Sequence, residues 1–341
     1  MSRQYAAAGV DLAGAGEAKA RIGELVAGTR TALSVGEVGA FGGMVRVPAG
    51  MRRPVLVLST DGVGTKVLVA LEAGRFDTVG EDLVNNSVND ILVHGATPLA
   101  FMDYIAGAGL GVAQIAGLVE GIARGCRAHG MALAGGETAQ MPGLYRLGTY
   151  DLAGTIVGIV EEESAIHGDR IVPGDVLLAY ASTGLHTNGY TLARRIIFEQ
   201  MGLGLEDRLG DTGQSVAEAL LAVHRSYFHS VMPVISRIHG LAHITGGGIP
   251  GNLVRILPPG CEAVVDPGSW ELPPLFVTLQ QAGQVTTGEM RDVFNLGVGL
   301  IAALPPDAVS AVRDAAAAEG VATWALGEVR RGERAVRFEG H

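Results

Sequence analysis

The strongest constraint on this chain's fold is an apolar run that breaks abruptly into glycine, hydroxyl and charge. Val57-Leu58-Ser59-Thr60-Asp61-Gly62-Val63-Gly64-Thr65-Lys66 reads as a strand running into a loop. Gly62 and Gly64 let backbone approach a ligand closely, and Thr65 with the glycine N–H groups suits phosphate oxygens. Asp61 suits a hard cation and Lys66 adds a positive charge, so the stretch reads as a Mg-nucleotide site. The spacing is not that of a P-loop. Only Lys19 and Lys66 are lysines; every other one of the 25 basic residues is arginine, which marks a position where a compact charge on a flexible stem is kept. A surface cation is the alternative reading of Lys66.

Similar openings recur along the chain. The spacing predicts a short helix over 17–30, a glycine-rich loop over 36–43, and a helix over 79–94. In the last, Leu83, Val84, Val88, Ile91 and Leu92 share one side, and Asp82, Asn86, Asn89 and Asp90 share another. That polar stripe has short acids and amides but no cation, which suits a metal or a hydroxyl-rich ligand; a solvated face is the alternative. A strand over 98–105 contains Asp103, and a helix covers 112–128 with Gly130 at its end. A second strand then opens into Gly135–Gly143, whose Glu137 and Thr138 are placed to complete a site begun by Asp61 and Asp90.

After a strand over 150–162, a charged segment with Pro173 suggests a linker, and the boundary is set near residue 168. The expected domains are therefore 1–168 and 169–341. In the second, a strand over 176–182 opens into Ser182–Tyr190 ahead of a helix over 190–201, with His186 and Asn188 suited to an anion. A helix interrupted by Pro233 is expected over 215–238. Thr245 and Gly246-Gly247-Gly248 expose successive N–H donors, as a phosphate nest does. Phe294-Asn295, an apolar strand, an alanine-rich helix over 308–319 and two closing strands complete the chain.

Composition narrows the function classes. At 341 residues and 48% hydrophobic, with 51 glycines, the chain fits two compact domains with many tight turns. A net charge of −10 argues against a non-specific nucleic-acid surface but leaves phosphorylated small molecules open. Cys126 and Cys261 form neither a disulfide framework nor a zinc site of the usual Cys spacing. No apolar run is long enough to span a bilayer, so a cytosolic location and no membrane partner are expected.

Taken in order, several blocks resemble the phosphoribosylformylglycinamidine cyclo-ligase family, also called aminoimidazole ribonucleotide synthetases. They run from Tyr5–Asp11 through Ser59–Lys66, Val88-Asn89-Asp90, Pro98-Leu99, Asp103-Tyr104, Gly135–Gly143, Tyr150–Gly154, His186–Tyr190 and His243–Gly248 to Phe294-Asn295. Departures are Asn85-Asn86-Ser87 in place of Ala-Met-Cys, Gln140 in place of an acid, and Thr187 in place of Ser. The resemblance implies an α+β fold of two domains. The N-terminal one is an ATP/Mg-binding sheet domain forming a dimer interface, and the C-terminal one is an α/β sandwich-like, substrate-binding domain. It implies an ATP-dependent ligase of purine biosynthesis with ATP as co-substrate, Mg²⁺, room for a monovalent cation, and a homodimer. On that basis Asp61, Asp90 and Glu137 are metal ligands, with Glu137 alternatively a base. Lys66 stabilises phosphoryl charge, and His186 is the proton-transfer candidate. Gly62, Gly64, Thr65, Asn89, Thr138, Asn188, Thr245, Gly246, Gly247 and Gly248 bind ATP or substrate. Thiamine-phosphate kinases share the acid-rich logic, while a selenophosphate synthetase would carry a reactive Cys near its start, where this chain has none. A non-catalytic nucleotide-binding regulator would need fewer charges than are present.

Overall fold

The computed structural model describes residues 12–37 and 39–339, with side chains from residue 20 onward. The Tyr5–Asp11 block lies outside the described residues. The described residues form two compact units, one ending at residue 91 and resuming over 97–161, the other made of 92–96 with the chain from 162 onward. No helix among the described residues is long and apolar enough to cross a membrane.

The first unit begins with α1 (Leu12–Ala27) and a two-stranded ribbon, β1 (Ser34–Val35) with β2 (Met44–Val45). Then come β3 (Pro54–Gly62), α2 (Lys66–Ala73), α3 (Asp77–Leu92), β4 (Thr97–Gly107), α4 (Val112–Ala128), β5 (Ala132–Gln140) and β6 (Tyr150–Glu161). The sheet order is β3-β6-β4-β5, with β4 and β5 parallel and the other pairs antiparallel. Two strands run further than local composition predicts. Thr60, Asp61 and Gly62 stay paired with Thr155, Gly154 and Ala153, and Gly135–Gln140 pair with Met102–Gly107. Ladder partners override the turn preference of glycine in both places.

Helices α3 and α4 cross so closely that a Cβ on Gly80 would stand 2.2 Å from the Leu118 carbonyl oxygen, and one on Gly121 1.9 Å from that of Asp77. Arg124 bridges Asp77 (3.1 Å) and Glu81 (2.7 Å) across the same crossing. Alternation along β3 turns Ser59 and Asp61 toward α3 and leaves Leu56 and Leu58 on the opposite face. There Leu56 is 52% and Leu58 63% exposed, with Met102 and Tyr104 of β4 also exposed.

The second unit contains β7 (Val176–Ala181), α5 (Tyr190–Arg194), α6 (Val216–Leu220), α7 (Phe228–Val231), β8 (Gly240–His243), α8 (Gly248–Leu253) and β9 (Cys261–Val265). It continues with α9 (Pro274–Gly283), α10 (Thr287–Val293), β10 (Val298–Leu304), α11 (Val309–Ala318), β11 (Thr323–Arg331) and β12 (Ala335–Phe338). Its six-stranded sheet has the order β12-β9-β11-β7-β10-β8. The central strands are buried on both faces: Leu177, Ala179, Ile301 and Ala303 enter one core, and Leu178, Tyr180, Leu300 and Ala302 the other. Two-sided burial is why Val298–Leu304 reads as an unbroken apolar run.

The single helix expected over 215–238 is absent. Tyr190 Oη donates to the Leu220 carbonyl (2.6 Å) and Thr183 Oγ1 to the Val223 carbonyl (2.5 Å), so side chains from the start of α5 and the loop before it take acceptors that helical N–H groups would use. Pro233 then starts a separate 3₁₀ turn over Met232–Arg237. The helix expected over 190–201 is α5 followed by a π-helical turn over Arg195–Gln200.

Candidate active site

In the first unit the opening stretch is held by a polar seam between β3, the start of α2, and α3. Asp82, Asn86 and Asp90 recur every four residues along one face of α3. Asp82 pairs with Lys66 Nζ at 2.7 Å, Asn86 Nδ2 donates to Asp61 Oδ2 at 2.7 Å, and Ser59 Oγ donates to Asp90 Oδ2 at 2.8 Å. The second Asp61 oxygen accepts the Gly62 N–H at 2.7 Å. Asp61 is exposed at the rim, Asp90 is half-buried, and Asn86 and Asn89 are buried. Gly64 takes φ +63°, turning the chain so that Thr65 and Lys66 open α2. The stripe expected to face a ligand therefore faces the strand, and only its Asp90 end reaches the rim.

Lys66 is placed differently from the expectation that it meets phosphoryl oxygens. Its side chain and that of Asp82 are wholly buried against each other. Burial pushes the ammonium down from the ordinary lysine range, and Asp82 opposes the shift. In this arrangement the charge is spent on Asp82.

Glu137 does not join Asp61 and Asp90. Glu137 pairs with Tyr104, Tyr104 with Ala153 and Ala153 with Gly62, so three strand spacings, about 14 Å, separate it from the end of β3 within one chain. A cation with oxygen ligands at about 2.0–2.6 Å is too small to span that gap. Glu137 instead lines a cavity of about 620 Å³ with Thr138, Gln140, Asp103, Arg30 and the segment around Gly39–Gly43. Gly43 presses on Ala134, where a Cβ would come within 2.2 Å of the carbonyl oxygen. Gly136 makes room for Asp103, since a Cβ there would stand 2.2 Å from Asp103 Oδ1. Burial raises the Asp103 carboxyl to about 7. As an acid inside an apolar strand, Asp103 was visible in the sequence, but nothing there marked it as a titrating group.

In the second unit, β7 and β8 both run antiparallel to β10, so their C-terminal ends and the start of β10 lie at one end of the sheet. Three loops meet there. Asn295 Nδ2 donates to the Gly184 carbonyl (2.8 Å), while its Oδ1 accepts from Ser182 Oγ (3.3 Å) and the Gly297 N–H (2.9 Å). Asn252 Nδ2 donates to the carbonyls of Thr245, Gly246 and Gly248, fixing the glycine turn from inside. Gly247 and Gly248 take φ +90° and +58°, and a Cβ on Gly246 would lie 3.3 Å from Asn188 Oδ1. The structure thus brings Asn188 to Thr245–Gly248. His186, at φ +60°, stacks on His224 with ring centroids 3.9 Å apart. Sequence reasoning missed Asn252 and His224, the latter hidden inside an expected helix.

Two-domain architecture and paired small-residue loops define a class, and sequence comparison agrees. The profile described as AIR synthase related protein, N-terminal domain, matches residues 40–160, and its C-terminal counterpart matches 172–338. Among solved structures, a thiamine-monophosphate kinase from Stenotrophomonas maltophilia superposes with TM-score 0.66 at 18% identity, covering 96% of this chain and 95% of that one. Hydrogenase maturation protein HypE in complex with ATP superposes at 0.62 and 19% identity, covering 92% and 88%. Within this class, relatives named phosphoribosylformylglycinamidine cyclo-ligase are far more similar. The Sorangium cellulosum protein is 47% identical over 96% of each chain, and that of Trichlorobacter lovleyi 47% identical over 96% of this chain and 94% of its own. The chain belongs to the phosphoribosylformylglycinamidine cyclo-ligase family.

Two predictions test this geometry. Asp82→Ala strands the buried ammonium and should lower stability in urea denaturation of the full chain by about 3–5 kcal/mol, whereas Lys66→Met with Asp82→Leu should recover most of that loss. A single variant as stable as the parent would show that the pair is not formed. Asp103 holds its proton in the folded state between its unfolded pKa, near 3.8, and about 7. Its contribution to stability is present below pH 4 and lost as pH rises to 7, so Asp103→Asn should gain stability relative to the parent at pH 8 compared with pH 4. A pH-independent difference would refute the raised pKa.

Proposed function

We infer that the chain cyclises formylglycinamidine ribonucleotide to 5-aminoimidazole ribonucleotide, consuming ATP and releasing ADP and phosphate. The observation that carries this is the 47% identity to named cyclo-ligases over 96% of both chains. The fold-level neighbours described with ATP, and with AMPPCP and TMP, support ATP as the phosphoryl donor.

Ring closure needs an amidine nitrogen to attack the formyl carbon and expel its oxygen, a poor leaving group. Transfer of the γ-phosphoryl to that oxygen converts it into phosphate, which departs as the C–N bond forms. The protein's tasks are to position the phosphoryl group, balance its charge and hold the nucleophile close.

In this reading the first unit binds ATP and the metal, and the second unit binds substrate. Asp61 and Asp90 offer hard oxygen donors, positioned by Asn86 and Ser59, a donor type suited to Mg²⁺. When bound, Mg²⁺ neutralises phosphoryl charge. Thr65 and the N–H groups beside Gly62 and Gly64 hold phosphate oxygens. Lys66 acts through Asp82, fixing α3 so that Asp61 and Asp90 keep their place. Glu137 and Thr138 belong to the cavity, where Asp103 can exchange a proton near neutral pH. Asn188, Thr245 and Gly246–Gly248 receive the substrate phosphate, and His186 is the proton-transfer group on that side. The exposed Leu56, Leu58, Met102 and Tyr104 supply an apolar face for a cytosolic homodimer.

Purified protein should release ADP only with formylglycinamidine ribonucleotide present, and Asp61→Asn should cut that turnover about 100-fold or more. ADP release with thiamine monophosphate instead would overturn the assignment. Sedimentation should give a dimer that Leu58→Glu converts to monomer; a parent protein that sediments as a monomer would remove the proposed interface.

A further inference from the structure

The proposed cyclisation gives Phe294 and Asn295 no task, yet both are buried against the loop that carries His186 and Asn188. We propose that Asn295 is a positioning residue for His186: it holds the backbone on both sides of Thr183, so that the Thr183 N–H meets His186 Nε2 and the neutral ring keeps its proton on Nδ1. The kinetic consequence rests on reading His186 as the proton-transfer group, whereas the tautomer is measured without ATP or substrate.

Both ends of the Asn295 amide are used. Oδ1 accepts from Ser182 Oγ at 3.3 Å and from the Gly297 N–H at 2.9 Å, and Nδ2 donates to the Gly184 carbonyl at 2.8 Å. Gly297 returns the link, its carbonyl accepting the Ser182 N–H at 2.9 Å. Ser182 Oγ also donates to the Gly184 carbonyl at 2.9 Å, which closes the turn around Thr183. Thr183 itself is tied through Oγ1 to the Val223 carbonyl. With residues 182, 183 and 184 all held, the Thr183 N–H has one direction, and it reaches His186 Nε2 at 3.2 Å. A ring nitrogen that accepts a hydrogen bond carries no proton, so a neutral His186 is protonated at Nδ1, and any proton it gives up in that state leaves from there.

Asn295 is itself kept in place. It is 4% exposed, its carbonyl accepts the Val298 N–H at 2.9 Å, and Trp270 Nε1 donates to the next carbonyl, that of Leu296, at 3.0 Å. Phe294 secures the other end of the loop: a Cβ on Gly189 would lie 2.5 Å from two atoms of its ring. Holding the loop at Gly184 and at Gly189 accounts for His186 at φ +60°, a backbone conformation that persists in a non-glycine residue only when its surroundings over-determine it.

The test uses the full chain. In nitrogen NMR with isotope-labelled histidines in mildly alkaline buffer, the signals missing from His186→Gln identify that ring. Its Nε2 should resonate as an unprotonated acceptor and its Nδ1 as a protonated nitrogen. Asn295→Asp keeps the size of the side chain but has no donor for Gly184 and sets a carboxylate oxygen against that carbonyl, so the His186 signals should shift to mixed tautomers. With formylglycinamidine ribonucleotide and ATP, Asn295→Asp and His186→Gln should each lower kcat about 100-fold and leave the KM for ATP within about twofold. The double variant should lose no more than about threefold beyond either single one, because both act through one ring. Should Asn295→Asp fail to fold, Ser182→Ala, which removes the hydroxyl shared by Asn295 and Gly184, should show the same shift and a kcat loss of about tenfold. A protonated Nε2 in the parent, an unchanged His186 spectrum in the folded variant, or losses that multiply in the double variant would overturn the proposal. Undiminished turnover by His186→Gln, with the tautomer shift present, would overturn the proton-transfer reading and support the positioning geometry.

Discussion

The polar seam between β3 and α3 is the interaction on which the first unit's chemistry depends. Asp82, Asn86 and Asp90, one turn apart, meet Lys66, Asp61 and Ser59, so the helix runs along the strand and its end with a polar link at every turn. Placing an ammonium and a carboxylate out of water costs several kcal/mol per ion, and their mutual attraction recovers this only when the geometry is good. That makes the pair a poor source of net stability and a strong source of register. A one-residue slip of the strand would turn Ser59 and Asp61 to the opposite face and leave the seam's buried groups without their partners. The same links aim the Asp61 and Asp90 carboxylates, which is why a buried lysine can matter to a rim it does not touch.

Much of this was legible in the sequence. Periodicity found α3, and the short acids and amides on one side marked a face that is not ordinary solvent-exposed surface. What periodicity cannot supply is the identity of the layer that face packs on. Asn86 and Asp82 are consumed by protein groups, and the lone lysine that drew attention by composition is consumed with them. Sheet order was equally hidden. Glu137 and Asp61 stand in similar strand-and-glycine contexts, yet β6 and β4 lie between their strands, so chemical likeness did not translate into proximity.

In the second unit the legible and illegible parts divide differently. The loops after β7 and β8 were recognisable from composition, and antiparallel pairing to β10 brings them to one end. Their partners were not recognisable. Asn295 and Asn252 act through amides that bind backbone carbonyls, a task any polar side chain of suitable reach could take in a sequence. His224 was concealed because residues 221–227 carry an apolar pattern close to a helix, while the Leu220 and Val223 carbonyls are taken by Tyr190 and Thr183. A local pattern loses to a hydrogen bond from a distant loop when the acceptor is buried and must be satisfied.

Glycine links the two units' logic. At Gly80, Gly121, Gly136 and Gly299 the missing side chain is space already claimed, by the Leu118 and Asp77 carbonyls, by Asp103, and by Tyr227 with His186. At Gly64, Gly247 and Gly248 the backbone takes positive φ that other residues resist. Both uses hold functional groups against rigid elements with little intervening bulk. The cost is the entropy of ordering so flexible a chain, which the two apolar cores of the second sheet help to offset by burying strands on both faces. A chain so rich in glycine and poor in surface charge can hold its loops still only because the strands feeding them are anchored along their length. The extension of β3 to Gly62 and of β5 to Gln140 is that anchoring, carried as far as Asp61 on one strand and the cavity residues Glu137 and Thr138 on the other.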